Sequence, residues 1–188
     1  TVGRRAAVQN AFSDAARTAT TLSHPNIVAT YDLDSVAGYP MVVQEFVQSE
    51  PLRSIIDAEK PFHPDDVSVL ISGMADALAY ARLRGVPHLA LNPDRIIVDF
   101  DGTVLITDFG LGAVLDDLEP PDATEAIFKA PELVGEQLGD ALSDIYSVGI
   151  IAWEMLTGER PKPDSAGRIP FASSVNPEVP PDVSEIVS

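Results

Sequence analysis

Residues 86–110 constrain the fold more than any other stretch of this chain. Asp101-Gly102 stands between the β-rich runs 96–100 and 103–106, and an Asp-Gly pair so flanked is a strong hairpin signal, because the favoured two-residue turn needs a backbone that glycine adopts freely. The chain must reverse there. The loop His88-Leu89-Ala90-Leu91-Asn92-Pro93 leads into the hairpin, and Asp108-Phe109-Gly110 leaves it. A long helical pattern precedes the segment, from 64 to 84, with Val67, Leu70, Ile71, Met74 and Leu78 on one face and Gly85 as its cap. Another follows it, from 140 to 157, where Ile145, Val148, Ile150, Ile151, Trp153, Met155 and Leu156 crowd round the helix. Such a pattern predicts burial on nearly all sides, with Gly158 as the stop.

The periodicity of Val8, Phe12, Ala15, Ala19 and Leu22 predicts a first helix over about 6–22, ended by Ser23-His24-Pro25 because the residue before proline is pushed out of the helical region. The runs 27–31 and 41–47 predict an antiparallel pair with its turn at Ala37-Gly38. Pro51 opens a short helix to about 57; further helices start at Pro131 and Pro181.

At 188 residues and 45% hydrophobic, the chain can bury one core or two small lobes. A formal charge of −17 argues against nucleic acid or an anionic membrane surface as partner, since the long-range field repels phosphate. There is no cysteine, hence no disulfide and no thiolate site. His24, His63 and His88 are too scattered to suggest a metal site. No apolar run approaches the roughly 18 residues of a spanning helix, so the expectation is a cytoplasmic domain, with attachment to a membrane segment outside the chain left open.

Seven motifs in order carry a resemblance. His24-Pro25-Asn26-Ile27-Val28 resembles the loop after the small-lobe helix of protein kinases, and Glu45-Phe46-Val47 their hinge, with Gln44 at the pocket entrance. Leu52-Arg53-Ser54-Ile55 resembles the helix after the hinge. The His88 loop is similar to the catalytic loop, Asp108-Phe109-Gly110 matches a metal-binding motif, Ala130-Pro131-Glu132 follows, and Ser143-Asp144-Ile145-Tyr146-Ser147-Val148-Gly149 resembles the start of the buried helix. The chain thus resembles bacterial Ser/Thr protein kinases of the PknB type. The resemblance implies an α+β, bilobal fold: a partial small lobe with antiparallel strands over 1–47, and a mostly helical large lobe over 48–188, truncated at its C-terminus. It also implies packing roles for His88 and Phe109, and a bond from Asp144 to the catalytic-loop backbone.

Against the family pattern, five positions depart, the first being Leu89 where the family has Arg. The catalytic Asp is Ala90, the Lys is Asn92, the metal-binding Asn is Arg95, and the helix Glu that pairs with a strand Lys is Ala15. Ala90 cannot accept a proton. Arg95 puts a cation where a second magnesium would sit, and two positive centres about 4 Å apart repel by several kcal/mol at partly buried dielectric. Arg95 is expected either to pair with Asp108 as an internal replacement for the metal or to point to solvent. These departures imply a catalytically inactive domain, a pseudokinase, with no metal beyond Asp108 and with weak or absent ATP and magnesium binding. The implied role is a regulatory scaffold that an active Ser/Thr kinase phosphorylates so that a forkhead-associated-domain protein is recruited in cell-wall regulation, as in the kinase-like cytosolic domain of an actinobacterial MviN-type peptidoglycan-precursor flippase. The alternatives are a weak or atypical Ser/Thr kinase and a nucleotide sensor without turnover. Thr124, set among Asp116, Asp117, Glu119, Asp122 and Glu125, is the candidate phosphosite, with Ile127 three positions on; the other reading of this stretch is a solvated acidic loop.

Overall fold

The computed structural model describes residues 2–36, 39–111, 114, 125–135, 141–165 and 167–187. Helix α1 (Val2–Ala19) begins and ends earlier than its periodicity predicts. The chain leaves it through hydrogen-bonded turns, Thr20 N–H to the Ala16 carbonyl and Leu22 N–H to that of Ala19, both 3.1 Å. Leu22 stays buried even so.

Strands β1 (Thr30–Val36) and β2 (Tyr39–Gln44) pair antiparallel, with Val36 opposite Tyr39. Residues 37 and 38, where the turn was expected, lie outside the described residues. The first strand is displaced from the expected 27–31 because Ile27 and Val28 have another partner. Ile27 forms a parallel bridge with Ile106, the Val28 N–H donates to the Ile106 carbonyl at 3.0 Å, and the Ile106 N–H donates to that of Asn26 at 2.9 Å. The apolar run thus ties the small lobe to the large one.

A three-stranded antiparallel sheet follows in the order β3 (Ser49–Pro51), β4 (Ile96–Asp99), β5 (Val104–Ile106). The β4–β5 hairpin is the expected one, and Gly102 takes φ +81° in its turn. Pro51 ends β3 and caps α2 (Leu52–Glu59), so it precedes the first helical residue. Helix α3 (Pro64–Arg82) begins under a His63 cap, whose Nδ1 accepts from Asp65 N–H at 3.3 Å. It packs against β5 at Gly73, where a Cβ would come within 2.5 Å of Val104 Cγ1.

Helix α4 (Ala141–Thr157) is the axis of the large lobe. Ile151, Trp153, Met155 and Leu156 are fully buried, and a side chain of that size contributes about 1.5–3 kcal/mol on burial. Its first turn departs from the expected all-round burial: Leu142 and Ile145 are exposed, and continuous burial starts nearer the middle. Two short helices, α5 (Ala172–Val175) and α6 (Pro181–Ile186), close the described chain. The Trp153 indole N–H reaches the Pro170 carbonyl at 2.7 Å, and Asn176 Nδ2 donates to the Leu156 carbonyl at 2.7 Å. An antiparallel strand pair near the N-terminus and a mostly helical larger part that carries its own three-stranded sheet make the α+β architecture that the motif order implied.

A buried ion pair joins α2 to α4. Arg53 donates from Nη1 and Nη2 to Glu154 Oε1 and Oε2 at 2.7 and 3.1 Å, and its guanidinium lies 5.8 Å from the Phe128 ring centroid. Burial pushes the Arg53 pKa down, but the bond to Glu154 and the charges of Glu154, Asp57 and Asp94 outweigh it, and the net shift is upward.

Candidate active site

Asp144 organises the loop that leads to the hairpin. It is buried in the first turns of α4, where its Oδ2 accepts the His88 N–H at 2.8 Å and its Oδ1 the Leu89 N–H at 2.7 Å. Leu89 takes φ +62°, a left-handed conformation that a side chain of this type disfavours by roughly 1–2 kcal/mol; the paired carboxylate bonds hold it there. The His88 ring is buried. Its Nε2 stands 2.9 Å from the Thr107 carbonyl and its Nδ1 accepts from Ala90 N–H at 3.3 Å, which places the ring proton on Nε2. Phe109 meets His88 edge to face, with centroids 5.1 Å apart and planes at 70°. The two rings and Asp144 therefore occupy the packing roles that the resemblance implied.

Asp108, next to Phe109, has φ +61°, and its Oδ2 lies 3.2 Å from Thr107 Oγ1. Gly110 has φ +72°, and a Cβ there would sit 3.4 Å from the Ala15 carbonyl. Helix α1 is thus seated on the Asp108-Phe109-Gly110 turn, with half-buried Ala15 at the contact.

The departing positions are each engaged in local structure. Asn92 Oδ1 accepts from Asp94 N–H at 3.0 Å and from Arg95 N–H at 3.2 Å, capping the 3-10 turn Pro93–Arg95. Asn before Pro at the first helical position is a signal that the sequence did carry, since asparagine is a favoured cap and proline loses nothing there. Arg95 Nη1 donates to the Ala90 carbonyl at 2.6 Å. The expected ion pair between Arg95 and Asp108 is not formed, and neither is the solvent-directed alternative. Ala90 is buried and carries no longer side chain to keep the guanidinium off its own carbonyl, a contact that no spacing rule announces.

The hinge positions lie along the exit from β2. Gln44 Nε2 donates weakly to Thr30 Oγ1 at 3.4 Å, Glu45 N–H donates to the Ala29 carbonyl at 2.8 Å, Phe46 is 92% exposed, and the Val47 carbonyl accepts from Ser49 Oγ at 3.2 Å. Thr124 lies outside the described residues. Ile127 packs against the core beside Phe128, so the residue three positions beyond Thr124 is not freely presented.

Among the described residues no group of three or more His, Cys, Asp or Glu gathers as a metal site. Magnesium characteristically takes one or two carboxylates and completes its shell with water and substrate phosphates. Asp108 therefore fits one such ion held jointly with a nucleotide. At the position that supplies a ligand to a second ion in the family pattern stands Arg95, a cation with no acceptor to offer a metal. No helix among the described residues is long and apolar enough to cross a membrane.

Beyond Ala130-Pro131-Glu132, a groove of about 630 Å³ runs between Pro131, Tyr146, Lys162, Arg168 and Phe171. Burial raises the Tyr146 pKa, and the Glu132 carboxylate adds to the shift. Glu132 itself accepts from Ser143 Oγ at 2.7 Å.

The protein kinase domain family matches residues 5–180. Serine/threonine-protein kinase PrkC of Bacillus subtilis is 31% identical over 190 residues, covering 94% of this chain and 29% of the relative. Serine/threonine-protein kinase PknB of Mycobacterium leprae is 31% identical over 159 residues, covering 80% of this chain and 26% of the relative. Serine/threonine-protein kinase PknL of Mycobacterium tuberculosis is 30% identical over 195 residues, covering 92% and 47% respectively. The chain spans less than half the length of each of these curated relatives. The expectation that the domain is not an enzyme is overturned by this set, since the family is that of protein kinases and the relatives are named as Ser/Thr kinases. The physical weakness of that expectation lies in what each departure removes. A missing general base lowers a rate by about two to four orders of magnitude, and positioning and electrostatic stabilisation carry the rest of phosphoryl transfer.

Proposed function

Because this chain belongs to the protein kinase domain family, we propose that it is an atypical Ser/Thr protein kinase domain that transfers the terminal phosphoryl group of ATP slowly. The observation that carries this reading is the intact frame around Asp108. Asp144 holds the catalytic loop, His88 bonds the Thr107 carbonyl, and Thr107 leads directly into Asp108 and the Phe109 that packs on His88. A magnesium ion bound with the nucleotide would neutralise charge on the phosphate oxygens. Asp108 is the residue that would hold it. Ala90 offers no base to the acceptor hydroxyl, whose proton passes to solvent, and Asn92 is committed to its cap. Both features slow the reaction without removing the positioning on which it chiefly depends.

The partner in this proposal is a protein bearing the acceptor Ser or Thr. The domain is also itself a target of phosphorylation by an active Ser/Thr kinase, with recruitment of a forkhead-associated-domain protein as the consequence. Packing of Ile127 against the core favours a threonine other than Thr124 for that step, and mass spectrometry of the phosphorylated protein identifies it.

Transfer of radiolabel from the γ-position of ATP to the protein or to a Ser/Thr peptide tests the activity. Slow, magnesium-dependent transfer that disappears in Asp108→Asn is expected. Equal labelling by the wild type and Asp108→Asn, or no labelling by either, would overturn the reading.

A further inference from the structure

We propose that the Arg95 guanidinium takes the place of the second divalent ion, so that this domain binds a nucleoside triphosphate with one divalent ion and one fixed arginine charge. The inference deepens the kinase reading and rests on it. Its basis is the disagreement at a single position, where a neutral metal ligand of the family has become a cation held in a defined place.

Contacts to described residues hold that place. The Arg95 N–H is fixed by the Asn92 side chain at 3.2 Å, Nη1 is fixed on the Ala90 carbonyl at 2.6 Å, and the Arg95 carbonyl accepts the Thr107 N–H at 3.0 Å. Arg95 is thus anchored at both ends, by its backbone to the residue that precedes Asp108 and by its guanidinium to the residue that replaces the base. Thr107 Oγ1 lies 3.3 Å from the Arg95 carbonyl and 3.2 Å from Asp108 Oδ2, which couples the two positions further.

Arginine stays protonated at every working pH, and its planar donor set suits phosphate oxygens. A charge fixed in advance needs no ion to be captured, and it repels any divalent ion that approaches the same position. Asp108 is then the carboxylate that would hold an ion with the nucleotide, and the ion-to-nucleotide ratio is one. The arginine charge at the catalytic loop is also why loss of a ligand at this position need not abolish nucleotide binding.

Manganese supplies the readout. Free and bound Mn²⁺ are counted by electron paramagnetic resonance in titrations with a non-hydrolysable ATP analogue, and analogue affinity is measured by calorimetry at one equivalent of Mn²⁺. The wild type is expected to bind one Mn²⁺ per analogue even at high Mn²⁺. Arg95→Asn and Arg95→Gln should admit a second ion, and at one equivalent of Mn²⁺ they should bind the analogue about ten- to hundredfold more weakly, the loss of a charge-assisted bond. Arg95→Lys should keep the ratio at one. Circular dichroism establishes that each variant is folded, and the wild-type ratio alone tests the proposal should both neutral variants unfold. Two ions on the wild type, or one ion on wild type and neutral variants alike with unchanged affinity, would overturn the proposal while leaving the kinase reading standing. Failure of the folded wild type to bind the analogue at all would overturn both.

Discussion

Two sets of residues share the loop 88–95 and its neighbour 107–110, and they are held in different ways. His88, Leu89 and Phe109 are fixed from below, by the Asp144 carboxylate and by ring packing in a buried region. Ala90, Asn92 and Arg95 are tied sideways by short-range bonds within the loop, and Arg95 is tied also to Thr107. The first set supports the fold whatever chemistry the domain performs, because removing it strands buried polar groups. The second faces the chemistry, and each departure there has found a local structural partner that makes it inexpensive to the fold.

The sharpest way to break this contrast is Asp144→Ala. A buried and a half-buried N–H lose their acceptor and Leu89 keeps a strained backbone, so a loss of about 3–5 kcal/mol in chemical denaturation is expected; a loss under about 1 kcal/mol would place the frame elsewhere. Glu154→Ala should follow at about 3 kcal/mol, because Arg53 would be left buried without its bidentate partner. Arg160, 3.5 Å from Glu154 Oε1, also loses a partner in that variant. On the reacting face the effects should be smaller. Asn92→Ala removes a cap and should cost about 1 kcal/mol, with Asn92→Asp restoring most of it; a cost as large as that of Asp144→Ala would erase the distinction between the two sets. The smallest effect is one of pH. Burial, and then Glu132, raises the pKa of Tyr146, so the folded state keeps a proton that the unfolded chain loses. Stability should therefore decline as pH rises through the ordinary tyrosine range near 10, and Tyr146→Phe should flatten that part of the profile.

Much of the architecture was legible in residue order. The Asp101-Gly102 turn, the α3 and α4 patterns and their glycine stops depend on neighbours close in sequence, and they appear within a few residues of where periodicity puts them. The lobe-joining role of Ile27 and Val28 was not legible. A β-rich run announces a wish for a strand partner and is silent on which partner, and here it is Ile106.

The same division holds at the site. That Ala90 has no base to offer and that Arg95 brings a positive charge follow from side-chain chemistry alone, and no packing alters them. Where the charge of Arg95 goes is a matter of three dimensions. One of its donors, Nη1, goes to the neutral Ala90 carbonyl at 2.6 Å, although Asp108 carries the opposite charge. Nothing in the helical pattern singles out Gly73, yet a Cβ there would come within 2.5 Å of Val104 Cγ1. Local chemistry and periodicity are written in the order of residues. Competition among partners distant in sequence is settled only when packing brings them within reach, because hydrogen bonds and steric contacts act over a few ångströms in space and take no account of separation along the chain.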